Sequence, residues 1–235
     1  AEGASDLHLT PGLKPHWRID GDMKEIADAA VLGREDALRL LEPVMEERHK
    51  EQLRQELDVD LAYAVPGVAR FRVNVFREAN GFGAALRQIP GKILTFEQLG
   101  LPKVIQDLCT MPKGLILVTG PTGSGKSTTL AAMVDLINKT RRGHIITIED
   151  PIEFVHRTQQ CLVNQREIGG SARSFGRALR AALREDPDII LVGEMRDPET
   201  IMLVLEAANT GHLVLATLHT NTAISTIDRI VDQFP

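Results

Sequence analysis

The sequence has few cysteines and few aromatic residues. Its 235 residues include two cysteines, one tryptophan, one tyrosine and seven phenylalanines. Cys109 and Cys161 stand far apart in no CxxC or Cys/His spacing, which argues against a disulfide scaffold or a zinc site and is typical of a reducing cytoplasm. Scarce aromatics and a formal net charge of −5 also disfavour a nucleic-acid partner, because bases stack on aromatic rings and phosphates bind cations.

Long apolar runs are missing from the sequence as well. No run approaches the ~18–20 residues needed to span a bilayer, and the start has no signal-peptide pattern. Hydrophobic residues make up 43% and charged residues 25%, which is the profile of a globular protein with a core. The chain begins with Ala1 rather than Met, so we expect it to be part of a longer protein.

Residues 1–90 predict a small α+β domain with an antiparallel sheet. Short strand-like runs alternate there with turn signals such as Pro66-Gly67 and Asn80-Gly81, and Asn-Gly between two strands is a strong hairpin signal. The predicted strands are 8–10, 16–19, 60–65, 69–77 and 82–89. The spacing of apolar residues predicts one helix over 34–55. Prolines near both ends mark residues 91–112 as a linker.

Residues 113–235 show another pattern, in which apolar runs alternate with helical segments. The predicted strands are 115–119, 144–148, 189–193 and 213–218, and the predicted helices are 127–139, 175–184, 198–209 and 223–233. This alternation predicts an α/β domain with a mainly parallel sheet that helices cover on both faces. Ligands of such sheets bind at the carboxyl ends of the strands, so the residues that follow each strand are candidate functional residues.

The segment from Gly120 to Ser127 matches the phosphate-loop pattern G-x-x-x-x-G-K-[ST] in full and stands between a predicted strand and a predicted helix. The candidate nucleotide-binding residues are Gly120, Pro121, Thr122, Gly123, Ser124, Gly125, Lys126, Ser127 and Thr128. Backbone N–H groups of the loop and the positive end of the helix would surround the phosphates of ATP. Lys126 would neutralise the β- and γ-phosphates, Ser127 would bind Mg²⁺, and Thr128 would contact the α-phosphate.

Glu194 ends the apolar run that starts at Asp188, and this arrangement is typical of a Walker B strand. We predict that Glu194 is the general base that orients and polarises the attacking water, with Gly193 leaving room beside it. A solvated acid at a strand end is the alternative.

Three acids, Glu149, Asp150 and Glu153, follow the predicted strand 144–148. Close carboxylates repel one another unless a cation lies among them. Mg²⁺ with its waters, or an arginine from elsewhere, would supply that cation, and Glu149 and Asp150 are the candidate metal ligands. A solvated acidic turn is the alternative.

His219, Thr220 and Asn221 follow the predicted strand 213–218, at the same sheet edge as the phosphate loop. An imidazole at this place would contact the γ-phosphate and respond to its presence. A structural histidine is the alternative, because a lone histidine more often has that role.

Arginines are concentrated on the predicted N-terminal hairpin strands, at positions 70, 72, 77 and 87. Arg70 and Arg72 share one strand face, with Phe71 and Val73 on the other. Surface cations are usually only solvated, but a phosphoryl-transfer site also takes arginines from a neighbouring domain or subunit to stabilise developing charge.

Together these motifs resemble those of the secretion-ATPase superfamily that drives type II and type IV secretion and type IV pili. The resemblance covers essentially the whole chain. Its motifs are GPTGSGKST (120–128), ITIEDPIEF (146–154), LREDPDIILVGEMRDPET (183–200) and TGHLVLATLHTNTA (210–223), which look like the Walker A, Asp-box, Walker B and His-box motifs. Residues 224–235 and the short N-terminal domain, which is similar to a PAS-like module, resemble the branch that retracts type IV pili.

The resemblance implies a RecA-like P-loop core and a hexameric, Mg²⁺-dependent ATPase that binds ATP between its two domains and powers pilus retraction and twitching motility. It implies that Glu194 is the catalytic base, Glu153 the Asp-box acid and His219 the phosphate-sensing histidine. Arg72 and Arg87 are the candidate arginines that the N-terminal domain contributes to the nucleotide. The implied partner is an inner-membrane pilus platform protein, which the motor meets at the cytoplasmic face without binding nucleic acid directly. Family members continue with a C-terminal helical region, which we expect to be absent here.

Other functions are also compatible with these residues. A RecA-like motor on DNA or RNA would share the core fold, although the acidic charge and scarce aromatics disfavour it. A scaffold that binds ATP and assembles without hydrolysing it would share the phosphate loop. Within the superfamily, a secretion or pilus-assembly ATPase is the alternative to the retraction branch.

Overall fold

The computed structural model describes residues 3–66, 68–89, 91–220 and 222–234. The chain forms two units, Ala1–Gly91 and Lys92–Pro235. Five residues that enter the sequence predictions lie outside the described residues: Ala1, Gly67, Pro90, Asn221 and Pro235. Within the described ranges, no helix is both long and apolar enough to cross a membrane.

The first unit contains a six-stranded antiparallel sheet. Its strands are β1 (Asp6–Leu9), β2 (His16–Ile19), β3 (Asp22–Glu25), β4 (Asp58–Val65), β5 (Ala69–Glu78) and β6 (Gly81–Ile89). They are arranged in the order β3-β2-β1-β6-β5-β4. The antiparallel sheet expected from the sequence is therefore confirmed. The sequence predictions miss β3, because its four residues are all exposed and give no alternation of apolar and polar side chains.

The prediction of one continuous helix over residues 34–55 is wrong. The structure has α1 (Asp36–Leu41), a 3₁₀ turn (Glu42–Val44) and α2 (Glu47–Glu56). Pro43 lies in the 3₁₀ turn, where it has no backbone N–H to continue the helical hydrogen bonds. The chain then becomes extended at Met45, and a reciprocal capping box between Glu46 and His49 begins α2.

The second unit contains a five-stranded sheet in which every strand pair is parallel. Its strands are β7 (Gly114–Thr119), β8 (His144–Glu149), β9 (Leu162–Glu167), β10 (Ile189–Val192) and β11 (Leu213–Leu218), in the order β7-β11-β10-β8-β9. This arrangement confirms the expected α/β fold. The sequence predictions miss β9, a polar edge strand with the sequence LVNQRE.

Helices cover both faces of this sheet. They are α3 (Phe96–Leu99), α4 (Lys103–Cys109), α5 (Lys126–Thr140), α6 (Phe175–Ala182), α7 (Pro198–Asn209) and α8 (Ala223–Val231). Alternate residues of β10 point to opposite faces, so Ile189 packs in the cluster with α5 and Ile190 in the cluster with α6 and α7. Both clusters exclude water, and burial of apolar surface holds the helices against the sheet.

Residues 91–112, which the sequence predicts to be a linker, contain two helices in the structure. These are α3 and α4, and Phe96 and Cys109 are buried in the core of the second unit. Pro102 and Pro112, two of the prolines that suggest a linker, flank α4. Pro102 is the N-cap of α4, where its missing N–H costs no helical hydrogen bond.

Candidate nucleotide-binding site

The phosphate loop connects β7 to α5, as the sequence motif requires. Gly120, Gly123 and Gly125 have φ values of 150°, 80° and 90°, a backbone region that favours glycine. A Cβ at Gly120 would lie 2.6 Å from Ser124 Oγ, so a side chain there would clash. Gly125 is also the N-cap of α5, and the loop therefore delivers Lys126 and Ser127 onto the first turn of that helix.

The ammonium group of Lys126 lies against the loop itself. Its Nζ donates to the backbone carbonyl oxygens of Gly120 and Pro121, at 2.9 Å each. These two contacts hold the positive charge among the loop residues rather than in free solvent.

His219 follows β11, the strand beside β7, and its ring lies between two charged groups. Nδ1 is 3.5 Å from Lys126 Nζ, and Nε2 is 3.2 Å from Glu194 Oε1. A neutral ring that carries its proton on Nε2 satisfies both contacts, because it donates to the carboxylate and accepts from the ammonium group. The structure thus brings Lys126, His219 and Glu194 into one line of polar contacts.

Glu194 follows β10 and is held as a carboxylate. Its Oε2 is 2.7 Å from Arg196 Nη2, and its side chain is 21% exposed. Burial alone would raise the pKa of Glu194, but the hydrogen bond from Arg196 and the charges of Arg196, Lys126 and, once its ring is protonated, His219 bring that pKa below its usual value. At neutral pH the group is therefore ionised.

The absence of a side chain at Gly193 leaves room for the end of β8. The Gly193 N–H donates to Ile148 O at 2.8 Å, and a Cβ on Gly193 would lie 3.2 Å from that same oxygen. The end of β10 can therefore approach the end of β8. The hydroxyl of Thr217 on β11 donates to Gly193 O from the other side.

The acids that follow β8 differ in their surroundings. Glu149 Oε1 accepts hydrogen bonds from Thr147 Oγ1 at 2.6 Å and from Gln165 Nε2 at 3.1 Å. Burial raises the pKa of Glu149 above its usual value. The charge of Glu153 also raises this pKa, whereas the two hydrogen bonds lower it. Asp150 lies close enough to Arg196 for their charges to interact.

An arginine thus lies near one of the three acids, Asp150, and an arginine is one of the two cations that the sequence leads us to expect. In the part of the chain that the structure describes, no group of three or more His, Cys, Asp or Glu side chains is arranged to hold a metal ion. The assignment of Glu149 and Asp150 as metal ligands stays a prediction.

Arg72 and Arg87 belong to the first unit and face each other across β5 and β6. Arg87 Nε lies 2.7 Å from Asp6 Oδ1, and Arg72 Nε lies 3.6 Å from Asp60 Oδ1. Both guanidinium groups are largely exposed. Their predicted role at the nucleotide stays a prediction.

Sequence reasoning misses two side chains at this sheet edge. Arg196 has a signal in the sequence, since it follows Glu194 by two residues and can turn back to the same carboxylate. Gln165 has none, because it belongs to the edge strand β9, which the apolar pattern does not reveal.

Known proteins of one family match this chain over nearly its whole length. A family profile of type II/IV secretion system proteins matches residues 1–233. The chain is 56% identical to the type IV pilus retraction ATPase PilT of Pseudomonas aeruginosa over 234 residues, which is 100% of the chain and 68% of that protein. It is 52% identical to a twitching motility protein of Neisseria gonorrhoeae over 221 residues, which is 94% of the chain and 59% of that protein. A crystal structure of the pilus retraction motor PilT with bound ADP superimposes with a TM-score of 0.96 at 55% identity, over 100% of this chain and 68% of that one.

Proposed function

Since the chain belongs to the type II/IV secretion system protein family, we propose that it is the nucleotide-hydrolysing part of an ATPase motor that retracts type IV pili. The observation that carries this proposal is the line of contacts from Lys126 through His219 to Glu194, at the mouth of a complete phosphate loop. In this line the His219 ring contacts both the Lys126 ammonium group and the ionised Glu194 carboxylate.

Lys126 binds the phosphates of ATP. The carbonyl oxygens of Gly120 and Pro121 hold its ammonium group at the loop, and phosphate oxygens carry more negative charge than carbonyl oxygens do. A bound triphosphate therefore draws the ammonium group onto the β- and γ-phosphates, while the N–H groups at the start of α5 bind the same anion.

Glu194 orients the attacking water and accepts its proton. Arg196 occupies Oε2 at 2.7 Å, so Oε1 is the oxygen that faces the site. A carboxylate with a lowered pKa is a weak base in bulk water. The main contribution of Glu194 is therefore to hold the water in line with the γ-phosphate, and it accepts the proton as the water attacks.

His219 couples the two ends of the site. When a phosphate draws Lys126 Nζ away from Nδ1, the ring loses one of its two contacts and can tighten its hydrogen bond to Glu194. The ring thereby responds to the presence of the γ-phosphate.

Mg²⁺, when bound with ATP, neutralises phosphate charge. Ser127, on the first turn of α5, is the residue that would hold it, since Mg²⁺ keeps several waters and needs only one or two protein oxygens besides the phosphates. Asp150 is a further residue that would hold the ion. Glu149 is less suited, because two hydrogen bonds already occupy its Oε1.

The whole protein is proposed to act as a hexameric ring at the cytoplasmic face of the inner membrane, against a platform protein of the pilus. The exposed guanidinium groups of Arg72 and Arg87, which face each other across two strands, would contribute positive charge to the nucleotide in that assembly. This chain spans 68% and 59% of the two relatives named above, so assembly is a property to be tested on the chain itself.

The first test is steady-state hydrolysis of ATP with Mg²⁺ across a range of protein concentrations. Turnover per chain should rise with concentration if neighbouring subunits complete the site. Lys126→Ala should abolish both the binding of a fluorescent ATP analogue and turnover, whereas Glu194→Gln should abolish turnover alone.

Two matched controls lie outside the site. Lys139→Ala is on the same helix as Lys126 and removes only an ion pair with Asp135, and Glu199→Gln removes only an ion pair with Arg180. Both should retain turnover. Turnover that Glu194→Gln retains would contradict the proposed role of that residue, and tight ATP binding without any turnover would identify a nucleotide-dependent scaffold instead.

A further inference from the structure

Two side chains on one face of the edge strand β9 hold the loop that follows β8. We name residues 150–156 the acidic loop, since it carries Asp150 and Glu153. Gln165 and Glu167 are two positions apart on β9, so their side chains leave the same face of the strand. Both reach the acidic loop.

The amide of Gln165 contacts the loop and the strand before it at three points. Its Oε1 accepts the backbone N–H of His156 at 2.7 Å, and its Nε2 donates to the backbone carbonyl of Phe154 at 2.8 Å. The same Nε2 donates to Glu149 Oε1 at 3.1 Å. Glu167 adds one contact, because its Oε2 accepts the backbone N–H of Ile152 at 2.9 Å.

These contacts require an amide side chain. The side chains of Ile152, Phe154 and His156 are buried, so the polar backbone groups beside them need partners inside the protein. A carboxylate at position 165 could accept from His156 but could not donate, and an apolar side chain could do neither. Of side chains of this length, glutamine alone offers one acceptor and two donors.

The acidic loop is connected to Glu194 through Arg196. Asp150 interacts with the charge of Arg196, and Arg196 holds Glu194 Oε2 at 2.7 Å. Glu153 approaches Glu149, whose Oε1 is bonded to Gln165. A displacement of the loop would therefore move the charges that set the orientation of Glu194.

We propose that Gln165 is a positioning residue for ATP hydrolysis, which fixes the acidic loop so that Asp150 stays in place beside the Glu194–Arg196 pair and Glu153 beside Glu149. The inference rests on the proposed function and extends it to β9, a strand with no residue in the phosphate-binding motif. Gln165 touches neither the phosphate loop nor Lys126 in the described structure, so its effect should fall on the chemical step rather than on ATP binding.

Gln165→Glu tests this with almost no change in size. We expect kcat to fall by about 10-fold to 100-fold, since a small misplacement of reacting groups has an effect of that order. The KM for ATP should stay within about threefold, because binding common to the ground state and the transition state is preserved. Gln55→Glu is the matched control, since the amide of Gln55 also donates to a carboxylate, Glu51 Oε1 at 2.7 Å, on an exposed helix. That variant should keep both constants.

A second measurement does not depend on turnover. In Gln165→Leu, hydrogen exchange at the backbone amide of His156 should be faster by about fivefold or more, as expected for one lost hydrogen bond. The amide of Leu191 in the sheet core should be unaffected. Unchanged exchange at His156, or an unchanged kcat in Gln165→Glu, overturns the proposal. If the unmodified chain does not hydrolyse ATP, the proposed function fails and the exchange experiment alone decides whether Gln165 holds the loop.

Discussion

His219 Nε2 lies 3.2 Å from Glu194 Oε1, although the two residues follow different strands and stand 25 positions apart in the sequence. The strand order β7-β11-β10 explains this contact, because it places the end of β11 between the phosphate loop and the end of β10. A side chain that follows β11 is therefore the one that can touch both Lys126 and Glu194.

Removal of the His219 ring should slow the chemical step. His219→Ala removes the ring that contacts both Lys126 and Glu194. We expect kcat to fall by about 10-fold to 100-fold with a smaller change in KM. Steady-state kinetics measures both constants. His212→Ala is the control, since that ring contacts the backbone carbonyl of Ala207 at 2.9 Å and Thr210 Oγ1 at 3.5 Å, away from Lys126 and Glu194. Equal kcat values for the two variants would count against a catalytic role for His219.

Arg196→Gln should move the acid limb of the activity profile to higher pH. Arg196 contributes to the lowered pKa of Glu194, so its loss raises that pKa and protonates the carboxylate at a higher pH. Activity that needs the ionised form is then lost earlier as the pH falls. The profile of kcat against pH measures this. Arg180→Gln, which breaks an exposed ion pair with Glu199, should leave the acid limb in place. An acid limb that does not move in Arg196→Gln would show that Glu194 does not limit activity there.

The second unit should lose stability in mild acid through His156. Burial lowers the pKa of this histidine to about 4, and its Nδ1 has no hydrogen-bond partner among the described residues. The unfolded chain, with a pKa of about 6.5, binds the proton more readily, so stability is complete above pH ~6.5 and falls as the pH drops toward 4. The loss at pH ~4 should be about 3 kcal/mol.

Urea unfolding followed by circular dichroism at several pH values measures this loss. His156→Gln removes the titrating group, so its unfolding free energy should depend less on pH over the same range. A variant that loses stability as steeply as the unmodified chain would assign the acid sensitivity to other groups.

Asp197→Ala should destabilise the start of α7. Asp197 is the N-cap of this helix, and its two carboxylate oxygens accept from the N–H and the hydroxyl of Thr200, at 2.8 and 2.7 Å. Thr200 is fully buried, so its hydroxyl finds no water in exchange. We expect the unfolding free energy to fall by about 1–2 kcal/mol in denaturant titrations. Asp197→Asn keeps one acceptor and should lose less, and equal losses in both variants would argue against the cap.

The elements predicted from the sequence agree best with the structure where the sequence pattern is local. The phosphate loop needs a fixed order of glycines, a lysine and a hydroxyl residue between a strand and a helix, and all of these are adjacent in the chain. The buried strands β10 and β11 also show themselves as apolar runs, because both of their faces lie in the core. The family expected from these motifs is confirmed by relatives such as the Pseudomonas protein.

Elements without such a pattern are the ones that the sequence does not predict. The exposed strand β3 and the polar edge strand β9 lack an apolar face that a periodicity could reveal. The prolines near both ends of residues 91–112 predict a linker, yet Phe96 and Cys109 are buried in a core that forms only when the second unit folds.

The sequence by itself determined the phosphate-loop motif at residues 120–127, because that motif depends only on residues that are adjacent in the chain. It also determined which strand ends carry acids and a histidine. Only the tertiary structure decided which of these side chains meet. Strand order is set by the packing of helices on both faces of the sheet, and that order places His219 beside Lys126, Arg196 on Glu194, and Gln165 against the acidic loop.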